Sequence, residues 1–170
     1  MRALRFAVLS SLCLACSDAT GISLQGPSFM SVRIDCSPFS WGEQDSFLWV
    51  VNGPTLLVQA VPGTLLPTGN RMIGFQIGDY RGPGTYTLEE NTTPGPVSDA
   101  FYEVWAGGQP PVPTQSFQTM GPYTGSVRII AVDTTRGTLV GTFEFAAAAT
   151  VGTDVVHITE GSFRIHHSSP

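Results

Sequence analysis

TLVGTFEFAA (residues 138–147) and DVVHITEGSFRIHH (residues 154–167) decide the architecture of this chain. In the first, Leu139, Phe143 and Phe145 share one parity, while Thr142 and Glu144 take the other. Apolar and polar residues alternating with period two mark a half-buried strand; a surface helix needs a period of 3.6. The second stretch alternates as well, but its phase changes. Val156 and Ile158 are even-numbered, whereas Phe163 and Ile165 are odd. A one-residue bulge or a tight bend at Glu160-Gly161 keeps both halves facing the core. Upstream, GSVRIIAVD (125–133) and TTRG (134–137) read as a strand and a turn. The run Ala146–Ala149 is helix-like in composition but too short to stand alone.

The same period extends towards the N-terminus. In FMSVRIDC (29–36), Met30, Val32, Ile34 and Cys36 oppose Ser31, Arg33 and Asp35. Cys36 therefore reads as a small buried apolar residue. SFLWVVNGPTLLVQAV (46–61) gives two apolar runs around Asn52-Gly53, a hairpin signal. Pro54 follows and cannot donate to a ladder, so a wider loop or an edge position is expected. RMIGFQIGDY (71–80), GTYTLEE (84–90) and DAFYEVWAG (99–107) read as further strands. GGQPPVPTQSFQ (107–118) is the least regular stretch and reads as an exposed, partly polyproline loop, with a docking segment as the alternative. Ile22 and Leu24 are candidates to begin a strand early. The expected fold is all-β: an antiparallel sandwich or small barrel of roughly 8–10 short strands.

The second half carries a resemblance. GTYTL, GSVRIIAVD, GTFEF and VHITEGSFRI are similar to a family of uncharacterised bacterial lipoprotein domains. That family ends in a Gly-Thr-Phe-x-Phe strand followed by an Ile-Thr-x-Gly-x-Phe strand. Gly141, Thr142, Phe143 and Phe145 fit the first pattern, and Ile158, Thr159, Gly161 and Phe163 the second. The match runs from about Gly84 to Ile165. The resemblance implies an all-β fold and a place in the cell envelope, and it carries no activity.

The N-terminus gives an address. MRALR supplies two positive charges, and Phe6 to Ala15 is apolar. A membrane-spanning helix needs about 20 apolar residues, so this shorter run reads as a secretory signal peptide. LCLAC resembles the lipobox of bacterial lipoproteins, in which a small residue precedes the modified cysteine. Ala15 precedes Cys16, while bulky Leu12 precedes Cys13, so Cys16 is the expected lipid attachment point. Cys13 stands where such boxes usually carry leucine, and ordinary cleavage leaving an unmodified Cys16 is the alternative. The expected organisation is a leader over residues 1–15, a lipidated tether over 16–27 and one domain over 28–170. With Cys13 removed and Cys16 modified, Cys36 has no partner for a disulfide.

Composition closes off several functions. The 170 residues carry eight arginines, no lysine and thirteen acidic side chains. Loss of Arg2 and Arg5 with the leader leaves six basic against thirteen acidic residues, a net charge of −7. Such a surface repels phosphate backbones, so no nucleic-acid partner is expected. It gives no purchase on anionic headgroups either, so membrane attachment falls to Cys16.

Catalytic signatures are sparse. No nucleophile elbow, P-loop or zinc-protease helix occurs in the chain. GPGTYT (82–87) reads as a turn. His157, His166 and Glu160 are an imaginable metal set if neighbouring strands bring them together; surface histidines are the plainer reading. His166 and His167 are adjacent and point to opposite faces of a strand. Glu89-Glu90 and Glu43-x-Asp45 are the paired carboxylates a glycosidase needs, and both sit beside turns. Trp41, Trp49, Trp105, Phe101, Tyr102 and Tyr123 either build the core or line a ligand surface. The expected function is therefore non-enzymatic, with no cofactor: a lipid-anchored envelope domain that binds or scaffolds a protein neighbour. The alternatives are a barrel carrier for a small apolar ligand and a cryptic hydrolase.

Overall fold

The computed structural model describes residues 22–63, 69–89, 97–106 and 112–166. They form eleven strands and no helix. These are β1 (Phe29–Ile34), β2 (Ser37–Trp41), β3 (Ser46–Asn52), β4 (Thr55–Val61), β5 (Asn70–Ile77) and β6 (Gly84–Leu88), followed by β7 (Asp99–Ala106), β8 (Val112–Gln118), β9 (Gly125–Asp133), β10 (Thr138–Ala149) and β11 (Val155–His166). The order is β2-β1-β11-β10-β8-β7-β5-β4-β3, with β9 paired to β10 and β6 to β9.

β10 is the branch point. Its residues Thr138–Phe145 pair with β9, and only Ala148 and Ala149 pair with Gln118 and Phe117 of β8. One sheet thus divides into two arms, β2-β1-β11-β10-β9-β6 and β8-β7-β5-β4-β3. The arms face each other: the Phe75 ring of β5 lies 5.6 Å from those of Phe143 on β10 and Phe163 on β11. The architecture is a sandwich folded from one branched sheet, not closed into a barrel. Period-two patterning builds its interior. Met30, Val32 and Ile34 of β1, Leu56, Val58 and Ala60 of β4, and Ile73, Phe75 and Ile77 of β5 are all buried.

The phase change in β11 is a bulge. Phe143 pairs with Gly161 and Phe145 with Ile158, so β11 places two residues, Thr159 and Glu160, against Glu144 alone. β1 registers the same insertion, with Ser31 opposite Ser162 and Arg33 opposite Thr159. Glu160 absorbs it at φ +52° and turns its carboxylate out to Arg33, 2.9 Å away. Gly161 is required by proximity, because a Cβ there would lie 2.3 Å from the Phe143 carbonyl oxygen. Both halves of β11 consequently reach the core: Ile158, Phe163 and Ile165 are fully buried.

Three expectations are corrected, and of the two offered for Pro54, a wider loop or an edge position, the edge holds. Cys36 is exposed, because β1 stops at Ile34 and pairs directly with Ser37. Asp35 and Cys36 form the intervening two-residue turn at φ +47° and +67°, the sign pattern of type I′. The Asn52-Gly53-Pro54 loop is tight, not wide. Asn52 pairs with Thr55, Gly53 takes φ +61°, and β3 is the sheet edge. Pro54 then occupies the second turn position, where its fixed negative φ suits a type II′ turn. Part of the proline-rich segment is a strand, β8, although residues 107–111 lie outside the described ones. Thr114 is bulged there, since Val104 pairs with Gln115 and Trp105 with Pro113. The irregular ladder accommodates a residue with no N–H. Finally, Ile22 and Leu24 precede any strand. The segment that follows them is tied to β11: Arg164 donates to the carbonyls of Pro27 (2.8 Å) and Ser23 (3.1 Å).

Candidate functional site

At one end of the sandwich the inward-facing rows change character. Along β5, buried Ile77, Phe75 and Ile73 give way to half-buried Arg71. Along β8, buried Phe117 gives way to exposed Gln115. Across the interior, β1 ends at Ile34 and turns through Asp35. Arg71, Gln115, Phe117, Ile34 and Asp35, with Ser37, Tyr102, Val104, Asp154, Val155 and Val156, line an open cleft of about 570 Å³. Its lining mixes apolar side chains, Ile34, Val104, Phe117, Val155 and Val156, with polar and charged ones.

Arg71 and Tyr102 define its chemistry. The Arg71 guanidinium lies over the Phe39 ring at 4.6 Å, a contact that orients the cation while leaving its N–H edges open. The ion pairs among the described residues engage Arg33, Arg81 and Arg136, and give Arg71 no carboxylate. Tyr102 is only 4% exposed and packs on Phe117 with ring centroids 5.8 Å apart. Its hydroxyl makes no hydrogen bond among the described residues, and none of their buried side-chain polar atoms is unsatisfied. The oxygen therefore reaches the cleft. Burial pushes the Tyr102 phenol above the ordinary tyrosine value; Arg71 pulls it down and Asp35 raises it. A cation and an anion thus flank one phenol. Asp35 is held in place, with Oδ1 accepting from the His157 N–H and its own N–H donating to the His157 carbonyl, both at 2.9 Å. A second groove, of about 560 Å³, is lined by Ser31, Arg33, Phe39 and Glu160. Its charges already satisfy each other, since Arg33 and Glu160 are paired.

The residues singled out from the sequence scatter. Cys16, Glu90 and His167 lie outside the described residues. His157 and His166 are nine residues apart on β11, about 30 Å at strand rise, too far to share an ion. Among the described residues no three His, Cys, Asp or Glu side chains form a metal set. His166 is used structurally. Its Nε2–H donates to the Gly26 carbonyl at 2.6 Å, and its Nδ1 shares a hydrogen bond with Thr138 Oγ1 at 2.8 Å. Asp45 closes a loop by accepting from the N–H groups of Gly42 and Gly63. Glu89 is exposed and its N–H donates to the Ser98 carbonyl. Of the aromatics, Trp41 and Tyr102 are core residues. Trp49 and Trp105 are half-buried, their indole N–H groups on the Gly137 carbonyl and Glu103. Phe101 and Tyr123 are half-buried too. Arg71 was not picked out from the sequence. Its signal was its parity, an arginine in register with Ile73, Phe75 and Ile77.

The model of a domain of unknown function, DUF6252, matches residues 67–165. The chain belongs to this family. No curated protein and no solved structure matches it. The DUF6252 region holds the two aromatic strands of the sequence resemblance, now seen as β10 and β11. It also holds Arg71, Tyr102, Gln115, Phe117 and Asp154, so most of the cleft lies within it. Ile34, Asp35 and Ser37, on the opposite lip, precede the DUF6252 region.

Proposed function

We propose that this protein is an exported, lipid-anchored, non-enzymatic binding module of the cell envelope, and that it meets its ligand or protein neighbour at the Arg71–Tyr102 cleft. The observation that carries the binding half is a guanidinium with no carboxylate partner among the described residues and a phenol lining the same cleft. The anchor rests on Ala15-Cys16 at the end of a short apolar run. Ile22, the first described residue, comes six positions after Cys16. An extended chain of that length spans about 20 Å, so the anchor holds the domain close to the bilayer. Two or more acyl chains on one sulfur hold firmly where a single chain does not.

Cell fractionation with intact-mass analysis tests the anchor. The native chain is expected in the membrane fraction, starting at Cys16 and carrying the added mass of a diacylglyceryl group. Cys16→Ser is expected in the soluble fraction without that mass. A Cys16→Ser protein that stays with the membrane at unchanged mass refutes the anchor.

A further inference from the structure

We infer that the Arg71–Tyr102 cleft takes a small zwitterion with apolar side chains: a short peptide with both its ammonium and its carboxylate free. This inference deepens the reading of the protein as a binding module and depends on it. Three observations lead there. First, the cleft offers charge of both signs in fixed places. Arg71 is presented on the Phe39 ring, and Asp35 is held by two backbone hydrogen bonds to His157. Asp154 adds a second carboxylate to the same rim. A simple organic anion would find Arg71 but meet two carboxylates, and a simple cation would meet Arg71; a dipolar ligand satisfies both ends.

Second, Tyr102, only 4% exposed, lines the cleft, and its hydroxyl has no hydrogen-bond partner among the described residues. A ligand carboxylate bridging Arg71 and this hydroxyl receives two donors, one of them charged. Third, the floor between the charges is Phe117, Val104 and Val156, which suits aliphatic side chains. A cleft of about 570 Å³ falls in the range of small-ligand sites and has room for more than one amino-acid residue.

The test is calorimetric titration of the full-length protein in detergent micelles with leucyl-leucine, its N-acetyl form, its C-terminal amide and decanoate. Saturable binding of leucyl-leucine is expected. Each blocked peptide should bind severalfold more weakly, because a charged side chain lining the cleft then lacks its counter-charge. Arg71→Met should weaken leucyl-leucine at least tenfold and remove the preference for the free carboxylate over the amide. Tyr102→Phe, which keeps the ring, should weaken it severalfold. Leu48→Ser, on the exposed edge strand, should leave it unchanged. Absence of saturable binding overturns the inference. Equal binding of the N-acetyl peptide or of decanoate replaces the zwitterion with a plain carboxylate, and also overturns it. The blocked peptides test the native protein, so the outcome stands even if Arg71→Met fails to fold. Membrane fractionation of Cys16→Ser reports separately on the anchor.

Discussion

Individual residues carry strain that is open to measurement. Asp35 and Cys36 both take positive φ in a turn that favours Asn-Gly. A left-handed conformation costs a residue with a Cβ about 1–2 kcal/mol relative to glycine, less the extra entropy that glycine loses on folding. Cys36→Gly should therefore raise stability by up to about 1 kcal/mol, read as a higher midpoint in urea; an unchanged or lower midpoint contradicts this account of the turn. Buried phenols set a second expectation. Burial raises both Tyr102 and Tyr80, and the neighbouring Tyr86 adds to the shift of Tyr80. The unfolded chain releases these protons first as the pH rises. Their contribution is complete below the ordinary tyrosine value near 10.0 and is lost as pH climbs through the raised folded values. Stability should fall above that pH, and Tyr102→Phe should fall less steeply. Urea midpoints measured alongside tyrosinate absorbance check both statements.

At the level of the element, the bulge in β11 determines which side chains are inside. Deleting Glu160 removes the inserted residue and leaves a regular strand, with Thr159 opposite Glu144 and the parity of Val156 and Ile158 carried on through Phe163 and Ile165. Adding one residue after Gly161 would instead turn Phe163 and Ile165, both fully buried, outward, forfeiting about 1.5–3 kcal/mol each. The insertion variant is expected to lose cooperative unfolding, whereas the Glu160 deletion should keep it. Calorimetry distinguishes the two. This bulge was legible because the parity change in DVVHITEGSFRIHH has no other economical explanation. β2 and β8 were not legible, because their patterning is weak. SPFSW buries only Trp41 fully, and VPTQSFQ only Phe117. Each carries a proline, and each is a strand because a neighbour presents a ladder to it. The tether region is similar: nothing local announces that Arg164 and His166 will hold residues 23–28. The cleft was half legible. Arg71 breaks an apolar row that can be read along β5, but Asp35 arrives through the β1–β2 turn, and only long-range pairing brings the two together.

For the whole molecule, the decisive contact is between the arms. The backbone joint between β10 and β8 has two residue pairs, so side-chain packing across the interior must hold the arms face to face. Phe75 is central, touching Phe143 and Phe163 and fully buried. Phe75→Ala should cost about 3–5 kcal/mol. Because the arms share this cluster, the variant should still unfold in one transition reported alike by far- and near-ultraviolet circular dichroism. Two separated transitions would show that the arms are independent units.

β1 lies between β2 and β11, and its register with β11 brings Phe29 opposite Arg164. Synthesis runs from the N-terminus, so β1 is made long before its partner on that side exists. Until β11 has been made, the Met30-Val32-Ile34 row has only a five-residue hairpin mate for cover. The sandwich therefore cannot assemble piecemeal during translation. It must close late, and in that interval its stickiest early strand depends on whatever holds nascent chains apart.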